Sequence, residues 1–259
     1  MKYLLLFLSL ITCAGNAQTI KIGRIRQLKP ELAGNYQVAG ISPDGKKILA
    51  TGPGLKGLYL ITVKNGKTQT ITDLPGAGHH PTFSADGQAI RFQSEEFPNQ
   101  RRITTIHRID LSTGMIQTPV IDEKSSTQPA LSTAIKPEGK GSRIWVSPSP
   151  DQTKTVYHLV GKGTFVCDSV GNILDSLGKM NAPKWLNNHT IIGMDDHDDG
   201  DIVTASELVI FDITSGEKVY LTHSTDRHEM YPIPFPDGKT IAFKTADSKL
   251  FTAKIKIRK

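Results

Sequence analysis

Side chains that could bind a ligand or a metal stand just before several short apolar stretches of this sequence. They supply imidazole, amide, carboxylate and phenol groups, and they are His79, His80, Asn181, His228, Glu229 and Tyr231. Histidine combined with glutamate is a ligand set that suits transition metals. These residues form one site only if the fold brings distant parts of the chain together.

A second candidate site is the acidic segment from Asp195 to Asp201. It carries five carboxylates in seven residues, which repel one another unless they are solvated or bound to a hard cation. Asp195 and Asp199 match the pattern of a calcium loop, but His197 and Ser206 stand where that pattern has carboxylate or amide ligands. One hypothesis is a calcium site formed by Asp195, Asp199 and Asp201. The other is a solvated acidic loop between two strands.

Four similar turns recur along the chain. They are Ile41-Ser42-Pro43-Asp44-Gly45, Phe83-Ser84-Ala85-Asp86-Gly87, Ser149-Pro150-Asp151-Gln152 and Phe235-Pro236-Asp237-Gly238. In such turns proline presets φ, aspartate bonds its own backbone and glycine adopts the left-handed conformation, so each turn joins two strands as a tight hairpin. Their recurrence at about the length of a four-stranded blade predicts an all-β fold, a β-propeller of antiparallel blades.

The turns divide residues 19–259 into one propeller domain, most simply with five blades. In the fourth unit Trp185-Leu186-Asn187-Asn188 replaces the turn, and asparagine is expected to take the left-handed position. The last unit has only three strands, which leaves an edge unpaired. The β-like segment Thr19–Leu28 has no hairpin partner beside it, so it is expected to complete this blade by pairing with residues 249–257.

Residues 122–142 break the pattern of turns and strands. They are rich in Ser, Thr, Lys, Gly and Pro, and we interpret them as an inserted loop. A degenerate blade in this segment, which would make six blades in all, is the alternative.

The predicted ring gives the candidate residues a common location. The inner strands of a propeller start at a central channel, so the residues just before them are expected to gather at its mouth. His79, His80, Asn181, His228, Glu229 and Tyr231 would then form a ligand-binding site. Alternatively, they are ordinary polar residues that line a water-filled channel. The sequence contains no recognisable set of a catalytic nucleophile and its base.

The repeats resemble those of TolB-like and WD-type propellers. The resemblance lies in the Ser-Pro-Asp-Gly or Ser-Ala-Asp-Gly turn, the apolar strand after it and the Thr/Ser-Gly turn before the outer strand. It implies a periplasmic or surface protein that serves as an interaction platform, so we expect a non-catalytic scaffold for an envelope or surface protein. The alternative is an enzyme at the channel mouth, a polysaccharide lyase or a metal-assisted hydrolase, that uses His80, His228 and Tyr231.

The first 17 residues have the pattern of a secretory signal peptide. Lys2 precedes an apolar run from Tyr3 to Ile11, and Gly15-Asn16-Ala17 supplies small residues before the expected cleavage point. A lipoprotein signal with an anchor at Cys13 is the alternative. Both predict a periplasmic or secreted protein with no further transmembrane segment. The net charge of +6 comes from scattered basic residues, which favours mild attraction to an anionic glycan or surface over nucleic-acid binding.

Overall fold

A computed structural model describes residues 19–32, 35–118 and 141–258. In this part of the chain, twenty strands form five four-stranded antiparallel sheets, arranged around a ring as the blades of a β-propeller. The five-bladed propeller predicted from the turns is thus confirmed. The predicted signal peptide, Cys13 and all of the predicted insertion except residues 141 and 142 lie outside the described residues.

The blades follow one another in chain order, and each is built from its inner strand outwards. Blade 1 contains β2 (Gln37–Ile41), β3 (Lys47–Thr51), β4 (Leu58–Thr62) and β5 (Thr68–Thr72). Blade 2 contains β6 (Thr82–Phe83), β7 (Ala89–Glu96), β8 (Ile103–Asp110) and β9 (Ile116–Gln117). Blade 3 contains β10 (Arg143–Pro148), β11 (Lys154–Leu159), β12 (Gly163–Asp168) and β13 (Ile173–Gly178).

Blades 4 and 5 complete the ring. Blade 4 contains β14 (Asn181–Trp185), β15 (Thr190–Asp198), β16 (Val203–Asp212) and β17 (Glu217–Tyr220). Blade 5 contains β18 (Glu229–Pro234), β19 (Thr240–Thr245), β20 (Leu250–Arg258) and, at its outer edge, β1 (Thr19–Leu28). Two short 3-10 helices, Pro53–Leu55 and Pro98–Gln100, each begin with a proline.

The first strand closes the last blade, as the unpaired edge predicted. β1 pairs antiparallel with β20, from Thr19 opposite Arg258 to Leu28 opposite Leu250, with one irregularity between Ile22 and Ile25. This pairing satisfies the outer backbone groups of β20, which would otherwise be exposed for pairing with another chain.

The hydrogen bonds of the recurrent turns explain why the same sequence appears in several blades. In blade 1 the Ser42 hydroxyl donates to Asp44 Oδ1 at 2.7 Å, and the Lys47 N–H donates back to the Ser42 oxygen at 2.9 Å. Gly45 has φ of 69°, a conformation that suits glycine. In blade 3, Gln152 takes the place of the glycine with φ of 59°.

The turn of blade 4 is stabilised by different interactions from those that its sequence predicted. Neither Asn187 nor Asn188 has positive φ, so the expected left-handed asparagine is wrong. Instead, Asn187 Oδ1 accepts hydrogen bonds from the backbone N–H groups of His189 and Thr190, at 2.8 and 2.9 Å. A side-chain oxygen can satisfy these donors without positive φ.

Apolar side chains between neighbouring blades hold the ring together. Ile192 and Leu208 of blade 4 belong to one buried cluster with Ile241 and Phe243 of blade 5. Full burial of such a side chain contributes roughly 1.5–3 kcal/mol, so the faces between blades, more than the channel, supply the stability. No helix in the described ranges is long and apolar enough to cross a membrane.

Candidate functional site

One position in the inner strand of four blades, and just before the inner strand of blade 2, contributes a side chain to a ring at the channel mouth. It lies four residues before the residue whose backbone N–H closes each turn, which is Ser42, Ser84, Ser149, Leu186 or Phe235. Its occupants are Val38, His80, Trp145, Ala182 and Tyr231. We call these five residues the mouth ring. The last four have φ between 46° and 53°, in a region that residues other than glycine seldom adopt. Such strain persists only where the surrounding structure holds it. The fold therefore maintains the same strained backbone conformation at this position in four of the five blades.

The mouth ring borders a cavity of about 800 Å³ between the inner strands of the five blades. Its wall also includes Pro148, Trp185 and Pro234, and the Trp185 indole N–H donates to the Ser147 carbonyl oxygen at 2.9 Å. Both tryptophans of the chain line this cavity. A concave, mostly apolar wall with a few polar groups is typical of ligand-binding sites.

Two of the six predicted site residues line the cavity, namely His80 and Tyr231. Tyr231 stays 45% exposed, and its partial burial, with the nearby charge of Asp196, raises the pKa of its phenol. Tyr231 is therefore an uncharged aromatic group at the rim, available to a partner.

Two other predicted residues, Asn181 and His228, make contacts beside the cavity. The Asn181 amide donates to Asp196 Oδ1 at 2.8 Å, and His228 Nδ1 lies 3.1 Å from the Val203 carbonyl oxygen. His228 does not line the cavity, so the structure does not bring it together with His80 there.

His79 turns away from its neighbour His80. Its Nε2 lies 3.7 Å from Glu95 Oε1, and Arg102 approaches the same oxygen at 3.6 Å. Among the residues that the structure describes, no group of three or more His, Cys, Asp or Glu side chains is arranged to hold a metal ion.

Glu229 is fully buried at the start of β18. Its Oε1 accepts a hydrogen bond from the Ser224 hydroxyl at 2.6 Å and lies 3.6 Å from Arg227 Nε, while Oε2 has no hydrogen-bond partner. Burial, reinforced by the charge of Glu207, raises the pKa of the Glu229 carboxyl. Glu229 is therefore enclosed at the start of β18 and does not line the cavity.

Two lysines that line the cavity were not among the site residues predicted from the sequence. Lys184 lies in β14, and Lys244 reaches the wall from β19. The Lys244 ammonium donates to Asn35 Oδ1 at 3.1 Å and to the Tyr36 carbonyl oxygen. Burial lowers the pKa of both lysines. Aligning the blades on their turns would have placed Lys184 and Trp145 in the inner strands, but only the backbone irregularities orient their side chains.

The acidic segment is not the loop that was expected, because β15 continues through Asp198 and the turn begins only after it. Asp195 is buried beside Lys218 and Tyr220, whose ammonium and hydroxyl groups donate to its Oδ2 at 3.1 and 2.6 Å. These hydrogen bonds outweigh burial and lower its pKa. Asp199 lies four extended residues away, about 13 Å, so the two carboxylates do not share one site.

No protein-family model and no curated protein matches the sequence. Similar solved structures include an oligogalacturonate lyase from Vibrio parahaemolyticus, 12% identical with a TM-score of 0.52 over 86% of this chain and 79% of that chain. Another is an oligogalacturonate lyase in complex with manganese, 16% identical with a TM-score of 0.50 over 87% and 78%. A third is TolB from Acinetobacter baumannii, 17% identical with a TM-score of 0.39.

The alignment with TolB covers 86% of this chain and 56% of that chain, so this chain spans little more than half of that relative. At these identities the similarities concern the fold, which is a β-propeller. TolB, whose family the repeats resemble, is thus among the structural neighbours.

Proposed function

We propose that this chain is an exported, non-catalytic propeller that binds a protein of the cell envelope or surface through its channel mouth. The observation that carries the proposal is the mouth ring. It places an exposed tyrosine, a tryptophan and a histidine from three blades around one cavity. Aromatic side chains at the centre of a concave surface are the residues that most often dominate the free energy of protein association.

The scaffold supports this role because its site rests on strands rather than on loops. Four of the five ring residues lie in inner strands, and Trp145, Ala182 and Tyr231 stand at interruptions of the inner-strand register. A preorganised surface loses little conformational entropy when a partner binds. The signal-like start of the sequence supports export to the periplasm or the exterior.

Photo-crosslinking tests the proposal. The mature chain, with a photoreactive amino acid in place of His80, is irradiated in native envelope extract, and the adducts are identified by mass spectrometry. We expect one envelope or surface protein to dominate, and we expect the Trp145→Ala, Tyr231→Ala double variant to lose that adduct. Val170→Ala, which truncates an exposed side chain on a blade turn, is the control. An unchanged adduct in the double variant would overturn the proposal.

An enzyme is the second candidate because two structural neighbours are oligogalacturonate lyases. For this chain, His80 and Tyr231 are the predicted site residues that line the cavity, and His228 lies outside it. Incubation with oligogalacturonate, with and without manganese, tests this candidate by the absorbance of an unsaturated product. Activity that His80→Ala abolishes would favour the enzyme over the scaffold.

A further inference from the structure

Lys184 occupies a position in β14 that small side chains occupy in most other blades. Two residues before the residue whose backbone N–H closes the turn, the other inner strands carry Gly40, Thr82, Ser147 and Ile233. Lys184 and Ser147 both line the cavity, and a Cβ atom added to Gly40 would meet no atom within 4 Å. Lys184 is therefore the one long cationic side chain at this position of the five inner strands, and it lines the cavity together with Ser147 and Ile233.

The ammonium of Lys184 has no partner within the described ranges of the chain, where it takes part in no hydrogen bond, ion pair or cation–π contact. Burial is the cause that lowers its pKa. Lys184 is half-buried, and a cation that is partly removed from water without gaining a partner is costly, so natural proteins usually pair it. The ammonium is thus a donor group without an acceptor among the described residues.

The rest of the cavity does not supply a negative charge. None of the described residues that line it is Asp or Glu, and Lys244 adds a second ammonium. The acceptors of Lys244 are neutral, an amide oxygen and a backbone carbonyl oxygen. The cavity therefore favours an anionic group, and Lys184 is the only one of the two lysines that is free to contact it directly.

The shape and charge of the cavity favour a carboxylate that belongs to a polypeptide. One free ammonium balances the single charge of a carboxylate, whereas a phosphate ester carries close to two negative charges. Trp145, Trp185 and Tyr231 line the same cavity as Lys184. They offer rigid apolar surface for the backbone and side chains of an inserted segment.

We propose that Lys184 makes this cavity a binding site for an acidic residue of an inserted polypeptide segment. The inference rests on the proposed function and names the chemistry that the partner must present at the channel mouth. Lys184 donates a charge-assisted hydrogen bond to the carboxylate, while the mouth ring contacts the adjoining residues.

The two tryptophans allow a direct test, because both line the cavity and no other tryptophan contributes to the fluorescence. The mature protein is titrated with a short, acetylated and amidated peptide of alternating Gly and Glu, and with the same peptide carrying Gln. We expect the Glu peptide to change the tryptophan fluorescence and to bind at least about tenfold more tightly than the Gln peptide, as for a hydrogen bond to a charged group.

The matched variants are Lys184→Gln and Lys162→Gln, which remove the same charge. We expect Lys184→Gln to weaken binding of the Glu peptide by about tenfold or more. Lys162 is exposed in the turn between β11 and β12 and does not line the cavity, so its variant should change the affinity less than about twofold. Circular dichroism and thermal unfolding verify that Lys184→Gln folds, and its stability should equal or exceed that of the wild type.

Three results would overturn the inference. They are no fluorescence change with the Glu peptide at millimolar concentration, unchanged affinity in Lys184→Gln, and equal affinity for free succinate and for the peptide at the same carboxylate concentration. Equal binding of the Glu and Gln peptides would also overturn the inference, because the site would then not select a carboxylate. A failure of the proposed function would be detected separately, as an unchanged photo-adduct in the Trp145→Ala, Tyr231→Ala double variant.

Discussion

Ile22 in the first strand of the propeller lies opposite Ile255 in the last strand, within the pairing of β1 with β20. Ile255 is 4% exposed and belongs to the buried cluster between blades 4 and 5, and Ile22 packs against that cluster. The two side chains thus connect the β1–β20 pairing, which is the seam that closes the ring, with the buried cluster between blades 4 and 5. Closure of this kind removes a free edge and couples distant parts of the chain.

Truncation at this seam should therefore destabilise the whole propeller. We expect Ile255→Ala to lower the free energy of unfolding by about 2–4 kcal/mol, because it leaves a cavity in a packed cluster. Lys256→Ala, at the exposed neighbouring position, should cost no more than about 0.5 kcal/mol. Urea denaturation measures both values. Equal, small losses would mean that the seam contributes little to stability.

Acid should weaken the turns through their aspartates, with Asp151 as the clearest example. The Ser149 hydroxyl and the Thr153 backbone N–H donate to its carboxylate and lower its pKa to about 2. Because the folded pKa is depressed, the stabilisation is complete above about pH 4, the unfolded value, and is lost as the pH falls towards 2.

We expect Asp151→Asn to have a lower melting temperature than the wild type at pH 6. On acidification to pH 2, its melting temperature should fall by less than that of the wild type. Asp201→Asn, at an exposed position, should keep the full acid sensitivity. Differential scanning calorimetry across this range provides the measurement. An acid-induced loss in Asp151→Asn as large as that of the wild type would contradict the role of this turn.

Glu229 should give the opposite dependence on pH. Burial raises its pKa in the folded state, so between about pH 4.3, the unfolded value, and the raised folded value the folded protein binds more protons. Stability from this group is present at low pH and is lost as the pH rises through that window. Glu229→Gln removes the dependence, so its melting temperature relative to the wild type should rise between pH 4 and 7.

The control for this prediction is Glu217→Gln, in which an exposed side chain is changed in the same way. Its melting temperature relative to the wild type should be nearly independent of pH. A Glu229→Gln variant that behaves like Glu217→Gln would show that the buried carboxyl titrates alike in the folded and unfolded states.

The calcium hypothesis now concerns the tip of the β15–β16 hairpin rather than the whole acidic segment. Asp199 Oδ1 already accepts the backbone N–H groups of Asp201 and Ile202, at 3.0 and 2.9 Å. If this tip binds calcium, millimolar calcium should raise the melting temperature, and Asp199→Asn should abolish the rise. Asp195→Asn should lower the melting temperature but preserve the rise. A wild-type melting temperature that calcium does not change would reject the hypothesis.

Much of the architecture was predictable because it is encoded in local chemistry. The turn at Ser42 is held by contacts within six residues, so its sequence identifies it wherever it recurs. The location of β1 followed from a general rule, since the three-stranded last unit required a partner for its open edge. The predicted limits of the first strand, Thr19–Leu28, agree with the structure to the residue.

Only the tertiary structure decides which residues form the site. His79 and His80 are neighbours in sequence, yet one contacts Glu95 and the other lines the cavity. Asp195, which reads as part of an acidic loop, is buried beside Lys218 and Tyr220 more than twenty residues away. Local turn chemistry decides which segments become strands, because its hydrogen bonds are made between near neighbours. Only the packing of five blades decides which side chains meet, because the irregularities that orient each inner strand depend on partners from elsewhere in the chain.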